Sequence, residues 1–435
     1  MTLRVAIQTL GCKVNQYESS YFIEILEDRG FQEVPFHSRA DVYLVHGCSV
    51  TSRASYQTRQ LLRRALRLNP SASVVVAGCN ATFEGDRLAS EKLATHILGN
   101  DQKYDLVHWL QKPASLDHPF VALGDPRRIR TFRTIPVRRS HQGHARTFVK
   151  IQDGCDAFCS YCIVPRTRGK SRSLSLENAL AQVATCVEEG FQEVVLTGIH
   201  LGQWGHDFPD PSRFSELLRR LDTAVRPPRV RLSSLEVMEL GEDVLPAIKS
   251  KSWICPHFHV PLQSGHGETL RRMNRNYTPE QYSEVVWRIR SLFPTASVGA
   301  DVMVGFPGET AADFQKTWEL VRRLPLTYLH VFPFSPRMGT PASLQPHRIV
   351  GDELKNRAKA LRTLGARKRY AFMEQALGTW VEVLTENDLG NGWYTGTSEN
   401  YLRVSFHSPG SIPPGTLVRV RLGELGSCGL VGIPE

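Results

Sequence analysis

Three cysteines in the segment GCDAFCSYC point most directly to chemistry in this 435-residue chain; they are Cys155, Cys159 and Cys162, called here the core triad. Thiolates spaced four and three residues apart can hold three corners of a cubane iron–sulfur cluster from a single loop. A structural zinc site normally needs a fourth Cys or His nearby, and none follows within residues 163–170. The pattern favours a cluster with one iron open to a small molecule, and zinc or redox-inert thiols are the alternatives.

Three further cysteines each follow a short run rich in valine and isoleucine; they are Cys12, Cys48 and Cys79, called here the N-terminal triad. The runs cover residues 3–8, 42–45 and 74–77 and alternate with helical patterns at 21–28 and 53–68, which predicts a parallel α/β sheet. Loops that follow parallel strands lie at one edge of the sheet. We therefore expect the three thiols to converge on one point, with three unrelated buried cysteines as the alternative.

The alternation of strands and helices resumes at residue 147 and continues to about residue 342. Candidate strands lie at residues 148–152, 193–197, 229–233, 257–261, 298–304 and 328–334. Six such units are fewer than the eight of a closed barrel, so we predict a partial, open (β/α)6 barrel. A cationic helix over residues 352–374 then leads to five short runs between residues 380 and 431, which predict a small C-terminal β-barrel.

The predicted fold class is thus α/β with a small β-barrel at the C-terminal end. We divide the chain into an N-terminal parallel α/β domain (1–125), a basic linker (126–146), the barrel core with its cationic connecting helix (147–373) and the small β-barrel (374–435).

Positive charge is concentrated in two stretches of this chain of net charge +10. Residues 126–172 contain twelve Lys and Arg against two acids, and residues 355–369 contain seven cations and no acid. Such stretches favour a polyanionic partner, with an ordinary solvated tether as the alternative for the linker. The last 62 residues instead contain three cations and seven acids, which suits a basic protein partner better.

The compartment follows from what the sequence lacks. No stretch approaches 18 uncharged apolar residues, and the N-terminal MTLRVAIQTLGC has no small-residue cleavage site. We therefore expect a cytoplasmic protein with no membrane contact, in which thiols stay reduced and clustered cysteines bind metal or do chemistry. Cys186, Cys255 and Cys428 lack partners at ligand spacing and are predicted to be structural.

The core triad, with Tyr161 before its third cysteine, matches the CxxxCxxC motif of the radical S-adenosylmethionine (SAM) enzymes. Other segments narrow the resemblance: TLGCKVNQYES around Cys12, HVPLQSGHGETLRRMNRNYT at 259–278, VGFPGET at 304–310 and FPFSPRMGT at 332–340. Together they resemble the radical SAM methylthiotransferases from residue 3 to about residue 433. The resemblance implies an N-terminal cluster domain, a radical core and a C-terminal TRAM domain.

The same resemblance implies the cofactors. The core triad would hold the 4Fe–4S cluster that binds SAM, and the N-terminal triad would hold a second 4Fe–4S cluster linked to sulfur delivery. An electron-donor protein is implied as a partner. The chain departs from the family before Cys48, where His46 and Gly47 replace the usual Asn-Thr, which places different groups around that ligand.

The family motifs also place polar side chains near strand ends that face the cofactor, with loop capping and surface charge as the alternative. These predicted cofactor-binding residues are Thr197, Glu236, Gln263, Arg275, Asp301 and Glu309. His257 and His259 alternate on a predicted strand and are either buried core histidines or substrate contacts.

Within the family, the form GCKVNQYES resembles the branch that methylthiolates carbon 2 of threonylcarbamoyladenosine at position 37 of tRNA. The basic stretches agree with the tRNA anticodon arm as a partner. The acidic C-terminal domain agrees less well, although cations beside aromatic residues there would offer a stacking surface, namely Arg403, Arg419, Arg421, Trp380, Trp393, Tyr394, Tyr401 and Phe406. The alternatives are methylthiotransfer to isopentenyladenosine in tRNA or to a ribosomal protein aspartate, and a non-catalytic iron–sulfur RNA-binding sensor.

Overall fold

The computed structural model describes residues 2–135, 145–426 and 429–435, and these form two compact units. The first unit contains the described part of 1–141 together with Gln152–Leu174 and Ser335–Ser343. The second contains the described part of 142–151, Ser175–Phe334 and the described part of 344–435. Each unit therefore combines segments that are distant in the sequence, and the domain limits at residues 125, 146 and 373 stay predictions.

The first unit is built on a six-stranded parallel sheet in the order β2-β1-β3-β4-β5-β6. Its strands are β1 (Arg4–Thr9), β2 (Gln32–Glu33), β3 (Val42–Gly47), β4 (Ser73–Gly78), β5 (His96–Leu98) and β6 (Phe120–Ala122), with a separate antiparallel pair β8 (Gln152–Asp153) and β9 (Arg172–Ser173). Its helices are α1 (Lys13–Glu27), α2 (Ser52–Leu68), α3 (Cys79–Ser90), α4 (Leu106–Leu110) and α5 (Val164–Arg168). The predicted parallel α/β sheet is confirmed, and Leu62, Val74 and Ile97 are among its fully buried core residues.

The second unit contains six parallel strands in two three-stranded sheets, in the orders β11-β10-β7 and β12-β13-β14. These strands are β7 (Thr147–Lys150), β10 (Val194–Thr197), β11 (Val230–Leu232), β12 (His257–His259), β13 (Ser297–Val304) and β14 (Tyr328–Pro333). The helices around them are α6 (Leu176–Glu188), α7 (Phe214–Ala224), α8 (Val244–Lys249), α9 (Gly267–Arg272), α10 (Pro279–Leu292), α11 (Ala311–Arg323) and α12 (Gly351–Ala376). A main-chain hydrogen bond of 3.0 Å from Leu235 to His259 connects the two sheets, so the predicted partial (β/α)6 barrel is confirmed.

The C-terminal residues of the second unit form the predicted closed β-barrel, in the order β15-β16-β17-β19-β18. Its strands are β15 (Trp380–Gly390), β16 (Trp393–Ser398), β17 (Arg403–His407), β18 (Leu417–Gly426) and β19 (Gly429–Pro434). Tyr394 and Phe406 face each other across β16 and β17 and are buried in its core. The predicted stacking surface is therefore wrong for these two aromatic residues, whereas Trp380 and Trp393 keep about 43% and 39% of their surface exposed.

A buried ion cluster fixes the small barrel to the larger one inside the second unit. Glu193 accepts hydrogen bonds from Arg229 and Arg231. Arg229 also donates to the carbonyl oxygen of Glu382 (2.8 Å), and Arg231 donates to that of Ser398 (3.0 Å). Burial alone would raise the pKa of Glu193, but the two guanidinium groups outweigh burial and hold the pKa far below its usual range.

Tyr401 belongs to the same contact and stacks on His257 with ring centroids 4.1 Å apart. His257 is buried, and its Nε2 lies 2.8 Å from the hydroxyl of Tyr328. His257 is therefore a buried core histidine, which was one of the two alternatives predicted for it.

Among the described residues, no helix has the length and apolar character needed to cross a membrane.

Candidate functional site: two cysteine triads

The N-terminal triad lies at one edge of the first unit's sheet, because β1, β3 and β4 are parallel neighbours. Cys12 is the N-cap residue of α1, Cys48 directly follows β3, and Cys79 is the first residue of α3. Gly11 has a φ of +101°, and a Cβ there would lie 2.9 Å from Sγ of Cys48. The loops thus approach so closely that a side chain at residue 11 would fill the space beside the thiol.

The pKa values of two of these thiols indicate which kind of ligand the site suits. Burial, and next the neighbouring Cys79 thiol, raise the pKa of Cys48 to about 12. Burial also raises the pKa of Cys12, with a smaller contribution from Cys79. The raised pKa values of Cys12 and Cys48 oppose loss of their protons, and a bound metal cluster would supply the positive charge that stabilises the thiolates.

Amide side chains hold two of the three sulfurs. Asn100 donates to Sγ of Cys79 at 3.3 Å, and Oδ1 of Asn15 lies 3.7 Å from Sγ of Cys12. Asn15 also donates to the carbonyl oxygen of Leu10 at 2.8 Å. These contacts fix the directions of the thiols before any metal binds.

Arg168 is one of the residues beside the N-terminal triad that the cysteine spacing does not reveal. It ends α5, six residues after Cys162, and only about 2% of its surface is exposed. Its guanidinium group donates to Glu18 (3.1 Å), Asp153 (2.9 Å) and Oδ1 of Asn15 (2.7 Å). An arginine from the core-triad segment therefore orients the asparagine that contacts the N-terminal triad.

A second path of hydrogen bonds runs from Glu18 to the other end of the triad. Glu18 accepts from Lys103 (2.5 Å) and from the hydroxyl of Tyr104 (2.6 Å). Lys103 donates to Oδ1 of Asn100 (2.8 Å), and Asn100 donates to Cys79. Buried charges of both signs thus surround the N-terminal triad, and they set the electrostatic potential that a cluster would experience there.

His46, at the position where the chain departs from the family pattern, belongs to this buried network. Its Nδ1 lies 2.9 Å from Oγ of Ser19 and its Nε2 lies 3.5 Å from Glu18. Burial, and next the charge of Lys103, lower the pKa of His46 to about 3, so the ring is neutral. Residue 47 has no room for a side chain, because a Cβ there would lie 2.7 Å from Cβ of Asn80.

The core triad lies in a loop between β8 and α5 that the backbone holds tightly. Gly154 has a φ of +74°, and a Cβ there would lie 1.9 Å from the carbonyl oxygen of Lys170. Cys155 donates its backbone N–H to Gly169 (3.1 Å), and the N–H of Ala157 points at Sγ of Cys155 (3.5 Å).

A cavity of about 590 Å³ opens beside two thiols of this triad, Cys159 and Cys162. Phe158, Arg166 and Thr340 are among its other lining residues. Three thiols on one ordered loop, with open space beside them, fit a cluster that leaves one iron accessible to a small molecule.

Three of the predicted cofactor-binding residues lie on barrel strands of the second unit or shortly after one. Thr197 is buried at the end of β10 and Asp301 lies on β13. Gln263 follows β12 with a φ of +62°, and its buried Oε1 accepts no hydrogen bond from the described residues. An orphaned buried oxygen of this kind suits a polar ligand, and contact with SAM stays a prediction for all three.

The other three already have protein partners. Arg275 pairs with Glu236, and its guanidinium group lies 4.9 Å from the ring centre of Tyr277. Glu309 accepts from Arg357 of α12 (2.5 Å) and from the backbone N–H of Gly305 (3.2 Å). Burial raises the pKa of Glu309, and these hydrogen bonds oppose that rise. Their predicted contact with SAM stays a prediction.

Several of the twelve cations in residues 126–172 are buried, so fewer of them can contact an outside partner. Lys150, Arg168 and Arg172 are buried and are not available to an outside partner. The exposed cations of the first unit in this range are Arg127, Arg128, Arg130, Arg133, Arg166 and Lys170, while Arg138 and Arg139 lie outside the described residues.

Comparison with known proteins identifies the family of this chain. One family model, Uncharacterized protein family UPF0004, matches residues 4–99, and that of the Radical SAM superfamily matches residues 149–321. The threonylcarbamoyladenosine tRNA methylthiotransferase of Aquifex aeolicus is 36% identical over 96% of this chain and 100% of that protein. The chain belongs to the radical SAM methylthiotransferase family. It is therefore an enzyme that works with SAM and a 4Fe–4S cluster.

A second relative carries a different name, and a solved structure shares the fold of this methylthiotransferase. The tRNA-2-methylthio-N(6)-dimethylallyladenosine synthase of Pelotomaculum thermopropionicum is 32% identical over 96% of both chains. Among solved structures, the radical SAM methyltransferase TsrM from Kitasatospora setae superimposes with a TM-score of 0.54 at 15% identity, over 79% of this chain and 75% of that chain. At that identity, the likeness to TsrM concerns the fold alone.

Proposed function

We propose that this methylthiotransferase acts on tRNA and converts threonylcarbamoyladenosine at position 37 into its 2-methylthio derivative. The observation that carries the proposal is the similarity to the Aquifex aeolicus enzyme, which extends over the cysteine-bearing sheet, the partial barrel and the small β-barrel. The form GCKVNQYES around Cys12 supports the same substrate branch.

The core triad is proposed to hold the 4Fe–4S cluster that binds SAM. A cluster bound there supplies the electron that splits SAM into methionine and a 5′-deoxyadenosyl radical. The chain's own part is to hold three thiols on a loop that Gly154 and the Cys155–Gly169 hydrogen bond keep in place. An electron-donor protein is proposed as the source of the electron.

The N-terminal triad is proposed to hold a second 4Fe–4S cluster that serves sulfur transfer. Support comes from the converging loops, from the amide groups aimed at Cys12 and Cys79, and from the buried arginine and lysine nearby. The two asparagines orient the thiols, and Arg168 and Lys103 hold those asparagines in place while they pair with Glu18 and Asp153.

Iron content distinguishes the two sites. Anaerobically reconstituted protein should bind about eight iron atoms per chain, given two 4Fe–4S clusters. Replacing the core triad with alanine should halve the iron and abolish SAM cleavage. Replacing the N-terminal triad should also halve the iron but leave SAM cleavage largely intact and remove the methylthiolated product. A triple variant that keeps all its iron would contradict the corresponding assignment.

The anticodon arm of tRNA is proposed as the nucleic-acid partner. In the first unit, Arg127, Arg128 and Arg130 are exposed, and in the second unit α12 carries exposed Lys355, Lys359, Arg362 and Arg367. Phosphate contacts from such residues supply affinity that does not depend on sequence.

Nucleoside mass spectrometry of tRNA from a strain lacking this protein tests the substrate. We expect 2-methylthio-threonylcarbamoyladenosine to disappear and to return when the wild-type chain is supplied. Dimethylallyladenosine is the second candidate because a synthase acting on it matches 96% of this chain. Loss of its methylthio derivative instead would establish that candidate. Loss of a methylthiolated ribosomal protein aspartate, measured by peptide mass spectrometry of ribosomes from the same strain, would establish a protein substrate.

A further inference from the structure

Three neighbouring parallel strands of the partial barrel bring His259, Asp301 and His330 together; we call them the His–Asp–His cluster. Oδ1 of Asp301 lies 3.1 Å from Nε2 of His259 and 3.2 Å from Nδ1 of His330. His259 was predicted as a core or substrate residue and Asp301 as a cofactor contact, whereas His330 was not singled out. None of the assigned roles accounts for a carboxylate that serves two imidazoles.

The cluster lies on the face of the sheet opposite α12. Leu329 of β14 packs against Gly365 of α12, so Tyr328 and His330, its neighbours on the strand, point to the other face. That face is the inner side of the partial barrel, where active sites form at the carboxyl ends of the strands.

The two histidines are held differently. Nδ1 of His259 lies 2.7 Å from Oγ of Ser234, so both nitrogens of His259 face protein groups. His330 contacts Asp301 through Nδ1, and its side chain is about 60% exposed. Nε2 is then the His330 nitrogen that faces away from Asp301, and it is available to a ligand.

Asp301 holds the His330 ring in place through Nδ1. Burial alone would raise the pKa of Asp301, but the hydrogen bonds from His259 and His330 outweigh burial and hold the pKa well below its usual range. The carboxylate of Asp301 accepts from the Nδ1–H of His330 and so fixes the orientation of the ring. A second carboxylate bound at Nε2 would place the imidazole between two negative groups; in that complex they favour the ring with both protons, so that Nε2–H donates to the bound carboxylate. The imidazole ring lies between Asp301 and Nε2, so it separates the Asp301 carboxylate from an anion bound at Nε2.

We propose that Nε2 of His330 donates a hydrogen bond to the carboxylate of the threonylcarbamoyl group, with Asp301 and His259 as the residues that position its ring. The inference rests on the proposed function and deepens it. The threonyl group carries the carboxylate, whereas an unmodified or dimethylallyl-modified adenosine has none. A site built to hydrogen-bond one substrate group discriminates strongly against analogues that lack it.

The experiment uses anticodon stem-loop RNAs carrying either threonylcarbamoyladenosine or its neutral carboxamide analogue. The reconstituted enzyme, His330→Gln and His206→Gln are compared; His206 is an exposed histidine of the same unit and serves as the matched control. A hydrogen bond to a charged group corresponds to a factor of about ten to a hundred. We expect His330→Gln to raise KM for the natural RNA by that factor, with little change in kcat or in SAM cleavage without RNA.

The carboxamide RNA makes the assignment specific. The wild-type enzyme should lose a similar factor on the carboxamide, whereas His330→Gln should treat both RNAs nearly alike, because the lost interaction is the same one. His206→Gln should behave as the wild type with both RNAs.

Each contrary result has its own meaning. If the wild type modifies the natural RNA but His330→Gln keeps its preference for that RNA over the carboxamide, the carboxylate contact is wrong and the proposed function stands. If the wild type modifies neither RNA, the proposed function fails and the contact fails with it. If one equivalent of zinc binds the wild type with ZnCl2 present but not His330→Gln, the cluster is a metal site and the proposal is overturned.

Discussion

Gly11 shows how a single backbone position controls the N-terminal triad. Gly11 and Gly30 both have positive φ values, +101° and +82°, so an alanine at either position meets comparable backbone strain. A Cβ at residue 11 would lie 2.9 Å from Sγ of Cys48, whereas a Cβ at residue 30 has no atom within 4 Å. We expect Gly11→Ala to displace Cys48 and remove about half of the bound iron, by the cluster stoichiometry.

Gly30→Ala is the matched control and should keep its iron. Iron analysis and the visible absorption of both reconstituted variants make the measurement, and SAM cleavage should persist in both. Full iron in Gly11→Ala would mean that Cys48 is not a ligand, or that the loop adapts without cost.

Removal of Arg168 should destabilise the first unit. Arg168→Met would leave Glu18 and Asp153 without their buried guanidinium partner, and breaking a buried ion pair from one side costs roughly 3–5 kcal/mol. Hydrogen exchange of the iron-free chain should accelerate in β3 and β4, while exchange in the small β-barrel stays unchanged. Arg64→Met, at an exposed arginine of α2, should change stability by less than about 0.5 kcal/mol. Equal exchange rates in both variants would show that the network is not stabilising.

At the residue scale, spacing predicted the two triads, because each cysteine follows a strand or lies in one short motif. It did not predict Arg168 or Lys103, since a count of charges does not indicate which of them are buried. Spacing also did not predict the proposed role of His330, which depends on strand register. Asp301 pairs with His330 across β13 and β14, and this register cannot be predicted from the sequence of either strand alone.

At the scale of elements, Lys368 links α12 to the end of α11. Its ammonium group donates to the carbonyl oxygens of Arg322 (3.1 Å) and Leu324 (2.7 Å). Burial, and next the charge of Arg322, lower the pKa of Lys368 to about 8, whereas an unfolded lysine has a pKa near 10.4. Between these values the unfolded chain holds a proton that the folded chain has released, so this group makes stability rise with pH.

The test compares how the unfolding midpoints of the wild type and of two lysine variants change with pH. Between pH 8 and about 10.4, the unfolding midpoint of the wild type should rise relative to that of Lys368→Met. The difference is modest because the side chain is only half-buried. Lys359→Met, at an exposed lysine of the same helix, should follow the wild type. Parallel curves for the wild type and Lys368→Met would contradict the lowered pKa.

Periodicity predicted the long elements well and the short ones poorly. The strands β2, β5 and β6 contain two or three residues each, which is too few to show an alternating pattern. Helix α1 begins at Lys13 rather than at residue 21, because Cys12 caps it and its first turns are polar. Tyr394 and Phe406 were misplaced because aromatic residues on a strand mark a surface or a core equally well.

At the scale of the whole molecule, exposed charge should govern tRNA binding. Charge reversal at Arg127, Arg128 and Arg130 should weaken binding and flatten its dependence on salt, since each lost phosphate contact lowers the log–log slope by roughly 0.7–0.9. Fluorescence anisotropy across a salt series makes the measurement. The matched control reverses three exposed arginines elsewhere, Arg213, Arg219 and Arg220, and should keep the wild-type slope. An unchanged slope in the first variant would remove this segment from the binding surface.

The discontinuous first unit has a consequence for synthesis on the ribosome. Glu18 and Arg168 are 150 residues apart, and Ser55 receives a hydrogen bond from Arg337, 282 residues later. At about 5–20 residues per second, Arg168 is synthesised roughly 8–30 s after Glu18, and Arg337 roughly 14–56 s after Ser55. Throughout that interval the nascent sheet carries a carboxylate whose arginine partner does not yet exist. A message cut short before residue 168 thus yields a chain that contains every strand of the sheet but whose buried Glu18 lacks its arginine partner.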